Sequence, residues 1–281
     1  MLKTIVSLSI FVLFSFNMQG QSTNAATNVP PPSDGVTPDA IIKKTKDTYA
    51  ALKSYSDTGS GSTHMGSFDT SVTFTTRLQR PGFYFVDWQS SGPMGKGVVW
   101  SDGTGDFLQS GALGLKKETS RELALASATG ISGGIAASIP GTFFAEHWGD
   151  KLTGAHERKG DEKIDGVDCY VLTHLLNHDG NDITTILWIG KQDSLIHQIK
   201  TKMSKLPQIP PVTDDTIKKT LAMQNKPATP EAIEALRKQL TTAREMAAAM
   251  LKSGGIEFTE LHTHIVTDKA FTPDDFKPTN P

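Results

Sequence analysis

Between residues 55 and 110 the chain takes on a period of two, and turn residues cut the alternation into short lengths. Val72, Phe74, Thr76 and Leu78 are interleaved with Ser71, Thr73, Thr75 and Arg77. A period of two places every second side chain on one face of an extended strand. Strands are expected at about 67–79, 82–90, 96–101 and 105–109, separated by Arg80-Pro81-Gly82, Gly92-Pro93 and Ser101-Asp102-Gly103. Short strands joined by tight turns argue for an antiparallel meander.

The stretch RLQRPGFYFVDW, residues 77–88, departs from simple alternation. Phe83 and Phe85 face one side, and Tyr84, Val86 and Trp88 face the other. The segment 182–189 does the same, with Ile183, Thr185, Leu187 and Ile189 opposite Thr184, Ile186 and Trp188. A sheet with one solvated face carries polar residues at alternate positions. Either both faces are covered by other elements, or one face lines an apolar cavity, and the residues themselves leave both open.

The remaining strands are a polar one from about 151, an apolar one after the Asp165-Gly166 turn, two at 182–189 and 195–203, and a last one in GIEFTELHTHIV. Helices interrupt them. Thr37, Pro38 and Asp39 open a helix whose stripe is Ile41, Thr45, Tyr49 and Leu52. A Thr119–Glu122 capping box starts a second helix that stops at Gly130. ISGGIAASIPGTFFAEHW follows, apolar and hinged at Gly133-Gly134, and its Ile131, Ile135, Ile139, Phe143 and Phe144 must be buried. Within an insertion at 206–252, Thr229 and Pro230 open another helix with the stripe Ile233, Leu236, Leu240, Ala243, Ala247 and Met250. Eight to ten antiparallel strands with three or four helices make an α+β fold, a strongly curved open sheet with helices on its concave side.

The amino terminus speaks to compartment. MLKTIVSLSIFVLFSF has an early Lys3 and an apolar run too short for a membrane span, followed by polar residues. Residues 1–20 therefore read as a secretory signal, with Gly20 or Ala26 as cleavage candidates, and 21–36 as a Pro-rich linker. The domain is expected at 37–281, with a lid segment at 113–149. A net charge of −2 gives no nucleic-acid footprint or polybasic membrane patch. The single cysteine, Cys169, sits in an apolar strand and is expected to be an inert buried thiol. No HExxH, GxSxG, Walker or GxGxxG pattern is present, so no catalytic residue, metal or cofactor is assigned and the chain is expected not to be an enzyme. The one arrangement that invites a metal is His262 and His264 with Glu260, which an undisturbed strand would place on one face as the start of a hydrolase site.

The segment RPGFYFVDWQSSGPMGKGVVWSDGTGDFL resembles the core of the periplasmic lipoprotein carriers of the LolA/LolB type, in which an Arg-Pro strand end precedes an aromatic strand and a later strand runs into an Ser-Asp-Gly turn. The order of helix, strands, helical lid and strands over residues 38–276 is similar too. The resemblance implies a half-barrel whose cavity takes acyl chains of a lipid or lipoprotein, with the Arg-Pro arginine, here Arg80, holding the lid helices closed. It implies Tyr84 at the mouth, with Phe83 and Phe85 as rivals. Adding the apolar surplus, the expected ligand site is Arg80, Tyr84, Phe74, Phe85, Ile135, Ile139, Phe143, Leu187 and Trp188. The expected function is a secreted or periplasmic monomeric carrier. An envelope sensor or scaffold that binds a partner protein is the alternative, and the insertion at 206–252, large for a dedicated carrier, points toward it.

Overall fold

The computed structural model describes residues 34–65, 68–92, 95–111, 114–145, 151–178, 181–203, 213–223, 227–252 and 255–278. The signal segment and most of the expected linker lie outside these residues. The described end of the linker is already anchored: Arg158 donates to both Asp34 carboxylate oxygens at 2.5 and 2.8 Å and to the Val36 carbonyl.

Eleven strands form one antiparallel sheet. They are β1 (Ser54–Met65), β2 (Phe68–Gln79), β3 (Phe83–Ser90), β4 (Lys96–Ser101), β5 (Asp106–Ser110), β6 (Gly114–Glu118), β7 (Glu157–Ile164), β8 (Val167–His178), β9 (Asn181–Gly190), β10 (Ile196–Met203) and β11 (Ile256–Thr267). The helices are α1 (Pro38–Ala51), α2 (Arg121–Thr129), α3 (Ile135–Phe144), α4 (Asp214–Met223) and α5 (Pro230–Lys252), and a 3-10 turn, Pro273–Phe276, closes the chain. The spatial order β6-β5-β4-β3-β2-β1-β11-β10-β9-β8-β7 is two meanders joined at β1 and β11. The sheet is not closed into a barrel, and its edges are β6 and β7. These two edges are consecutive strands in the chain. The connection between them must therefore cross the whole sheet, and α2 and α3 lie in that connection.

Two strands escape the sequence pattern. β1 reads SYSDTGSGSTHM, nearly devoid of apolar residues, yet it is central. Its glycines are a packing requirement: a Cβ on Gly59 would stand 2.2 Å from Phe74 Cζ and 2.3 Å from the Leu261 carbonyl, and one on Gly61 2.8 Å from Val72 Cγ1. The neighbouring strands' large side chains fill the space the glycines leave. β6, GLKKE, is an exposed edge strand whose charges suit that place. Helix α4 is also additional to the expected set, and α2 is capped by Ser120, whose hydroxyl accepts from Leu123 N at 3.2 Å, one residue after the expected Thr119.

One cluster holds the core. Ile41, Ile42 and Tyr49 of α1, Leu125 and Ala128 of α2, and Ile135, Ile139 and Phe143 of α3 meet Phe74, Leu78, Tyr84, Val86, Leu172, Leu187 and Ile199 of the sheet. Both faces of the two-faced strands are covered. On the outer face Phe85 and Trp100, with Phe83 beside them, are sealed by Phe276 of the closing turn. Farther along, Cys169, Val171 and Trp188 make a second outer cluster, where Trp188 Nε1 donates to Glu162 at 2.8 Å. Burial pushes the Cys169 thiol up to about 11, far from a reactive thiolate at neutral pH.

Candidate ligand site beneath the two-helix lid

The lid is built from residue choices that suit no other place in the fold. Helix α2 follows β6 and packs on β4, β5 and β6; α3 reaches inward to β2 and α1. Between them Gly133 (φ 69°) and Gly134 (φ 99°) adopt left-handed backbone that a side chain would strain, with the Phe258 ring beside them. Helix α3, IAASIPGTFF, carries no charge, and every residue from Ile135 to Phe143 is buried. An apolar segment of this kind has to lie between layers.

Arg80 ties the lid down. At the turn between β2 and β3 its Nη2 donates to the Phe143 carbonyl at 2.7 Å and to the Tyr49 carbonyl at 3.3 Å, and its Nε donates to the Leu52 carbonyl at 3.1 Å. These carbonyls belong to the last turns of α3 and α1, where no intrahelical donor remains. The guanidinium also lies 4.7 Å from the centre of the Phe143 ring. An open hollow of about 440 Å³, lined by residues 50–54, Gln79, Arg80 and residues 268–270, sits beside it.

Of the residues expected in the site, Phe74, Tyr84, Ile135, Ile139, Phe143 and Leu187 come together in the buried cluster under the lid, with Arg80 at its rim. Phe85 and Trp188 do not join them. Strand alternation turns both to the outer face, where each packs in a separate cluster. Tyr84 donates to Asp106 at 2.8 Å, and burial, reinforced by that carboxylate, raises its hydroxyl well above the ordinary tyrosine value.

The expected pairing of His262 with His264 does not form. The register of β1 on β11 jumps between Ser56 and Thr58, and His264 adopts φ 52° at that irregularity. It is exposed and meets Thr58 Oγ1 at 3.1 Å, whereas His262 is 2% exposed. Among the described residues no group of three or more His, Cys, Asp and Glu side chains could hold a metal ion. A metal-hydrolase reading on this pair therefore has no geometric basis.

His262 belongs to a different constellation. Its Nδ1 lies 2.6 Å from Asp57 Oδ2, which also accepts from the Tyr55 hydroxyl at 2.8 Å. On the other side, Glu260 Oε2 accepts from Ser138 of α3 at 2.7 Å. His262 Nε2 and Glu260 Oε1 are 3.2 Å apart, near enough for charge attraction but misaligned, and neither has a hydrogen-bond partner. Asp57 Oδ1 has none either. Burial by itself would lower the His262 pKa; the Asp57 carboxylate, aided by Glu260, outweighs it and holds the imidazolium up to about 10. The Phe74 ring meets His262 edge-on at 5.4 Å, which places this polar cluster inside the apolar site. Asp57 and Ser138 gave no motif. The signal for Asp57 was parity with Tyr55, two residues away in a strand, and that for Ser138 was a hydroxyl, one of two with Thr142, in an otherwise apolar helix.

No family profile matches the chain, nor does any curated protein. Among solved structures, it is similar to MucB of Pseudomonas aeruginosa in complex with MucA, with 10% identity over 86% of this chain and 60% of that one and a TM-score of 0.40. A DUF1329 family protein from Desulfovibrio piger has 12% identity, with 85% and 96% of the two chains covered and a TM-score of 0.35. A LolA superfamily protein from Nitrosomonas europaea is similar at 11% identity, with 86% and 98% of the two chains covered and a TM-score of 0.32.

Proposed function

We propose that this chain is an exported, non-catalytic binder or carrier of acyl chains, which enter between the sheet and α3 when the lid lifts about Gly133-Gly134. The observation that carries the reading is the grip of Arg80 on the Phe143 carbonyl. One side chain on the sheet closes the ends of both α1 and the lid, so releasing it frees α3 without unfolding a strand. The face then uncovered holds Phe74, Tyr84 and Leu187. Each methylene buried there contributes about 0.8 kcal/mol. The signal-like first 20 residues support export.

The test is titration of the delipidated full chain with an uncharged fluorescent monoacylglycerol, beside mass spectrometry of what co-purifies. Micromolar binding, with faster exchange in Arg80→Leu, is the expected result. A protein that takes up no acyl probe and co-purifies with no lipid sinks the reading.

A second reading, docking of a partner protein in the same compartment, draws on the insertion. Ile217 and Leu221 of α4 pack with Leu236 of α5, with Ile233 and Leu240 beside them, in a cluster separate from the core. Loss of partner capture, but not of lipid, on removing this hairpin would favour it.

A further inference from the structure

The polar cluster under α3 has an imbalance that the core does not resolve. Two carboxylates, Asp57 and Glu260, face one imidazole, His262, and all three are at most 3% exposed. The hydroxyls of Tyr55 and Ser138 supply the other donors. Asp57 Oδ1 and Glu260 Oε1 are left without a hydrogen-bond partner, and so is His262 Nε2, which is misaligned with Glu260 Oε1. Buried polar atoms are ordinarily paired, so an unpaired carboxylate oxygen beside a misaligned ion pair is a place where a donor fits.

The cluster spans both layers. Asp57 and His262 belong to the sheet, whereas the donor on Glu260 Oε2 comes from Ser138 on the lid. Lifting α3 withdraws that hydroxyl and leaves Glu260 short of a donor in an apolar site, which is unfavourable unless an incoming group replaces it. An acyl chain alone cannot replace it. A head group that donates hydrogen bonds can, and a carboxylate or phosphate head would meet like charge in surroundings of low dielectric.

Resting on the lid-opening reading above, we infer that Asp57, Glu260 and His262 form the head-group floor of the space uncovered when α3 lifts and select amphiphiles whose polar head donates hydrogen bonds and carries no negative charge, such as an ammonium or hydroxyl head. Ser138 occupies the head-group position when the lid is closed. Binding then exchanges one donor for another on Glu260, and the exchange couples ligand entry to lid opening. The imidazolium of His262 offsets one of the two carboxylate charges, and the remaining negative charge leaves the floor hostile to anionic heads.

The experiment is calorimetric titration of the delipidated full chain with dodecylamine, monolaurin and laurate at neutral pH and physiological salt, each below its micellar concentration. The three share a twelve-carbon apolar chain. The amine and the monoglyceride are expected to bind about tenfold tighter than laurate. Glu260→Gln, which keeps the shape but removes the charge, is expected to bring laurate within about threefold of the amine. Equal affinities for all three in the wild-type chain overturn the head-group inference and leave acyl binding standing. Tight amine binding with monolaurin as weak as laurate also overturns it, because that ranking is nonspecific charge attraction. Binding of none of the three overturns the lid-opening reading with it. If Glu260→Gln does not fold, the wild-type ranking alone decides.

Discussion

Two helical segments interrupt the strands of this protein, and they behave oppositely. The lid segment, α2 and α3, enters the main core with Leu125, Ile135, Ile139 and Phe143 each at most 1% exposed. The insertion, α4 and α5, keeps its small cluster to itself and carries a surface ion pair between Arg237 and Asp214. Topology explains the difference. The lid joins opposite edges of the sheet and has to cross it. The insertion leaves β10 at Met203 and returns to β11 at Ile256, residues that are already paired across the ladder. It hangs from the end of a hairpin and need not touch the core. Helices thus become part of the interior or an appendage according to where their ends are tied and to what they carry, α3 being uncharged and α5 amphipathic.

That contrast can be broken by experiment. The largest effect is expected from Phe143→Ala, which empties a ring from the center of the lid and should cost about 3–5 kcal/mol in chemical denaturation. The matching change in the appendage, Leu236→Ala, should leave the main transition unmoved; if the two cost the same, the contrast fails. Asp57→Asn, which removes one partner of the buried pair, is expected to lower stability by a similar or slightly smaller amount, about 3 kcal/mol. The His262 pKa sharpens this further. It is raised from its ordinary 6.5 to about 10, so its contribution is complete below about pH 6.5 and is lost as pH rises toward 10. Thermal melts should therefore show stability falling across that window, and His262→Phe should flatten the slope. Arg80→Leu leaves the ends of α1 and α3 without their shared donor and should cost about 1–3 kcal/mol. Its signature is faster amide exchange in α3 than in the strands. The smallest effect is expected from replacing residues 204–255 with a two-residue Asn-Gly turn, which should shift the main melting transition by no more than a few degrees.

Much of the architecture was legible from periodicity. The alternation of Val72, Phe74, Thr76 and Leu78 gave β2 and its buried face, and the cap-and-proline grammar of Thr37-Pro38 and Thr229-Pro230 gave α1 and α5. What escaped had a common cause. β1 contains too few apolar residues to register, because its inward positions at Gly59 and Gly61 are filled by side chains of β2. The site was legible by face but not by assignment: Phe74, Tyr84 and Leu187 could be told from Phe85 and Trp188 by parity, yet which set met the helices depended on Phe276, far along the chain. His264 was misplaced because a local irregularity in register cannot be read from spacing two. Glu260 could be grouped with His262 from its spacing of two, but Asp57 is 205 residues away in sequence, a separation that no local motif spans.

The choice of partners at Arg80 has a consequence for control. All three of its hydrogen bonds end on backbone carbonyls. Peptide oxygens neither gain nor lose protons at biological pH, so acidification of the surroundings has no handle on this contact. A histidine or carboxylate in the same place would have made the lid an acidity sensor. As built, the catch yields to competition for the guanidinium: a rival oxygen, presented by whatever docks at the rim, must take over what the helix ends now supply. Opening at this contact would thereby follow an encounter with another molecule rather than a change of acidity.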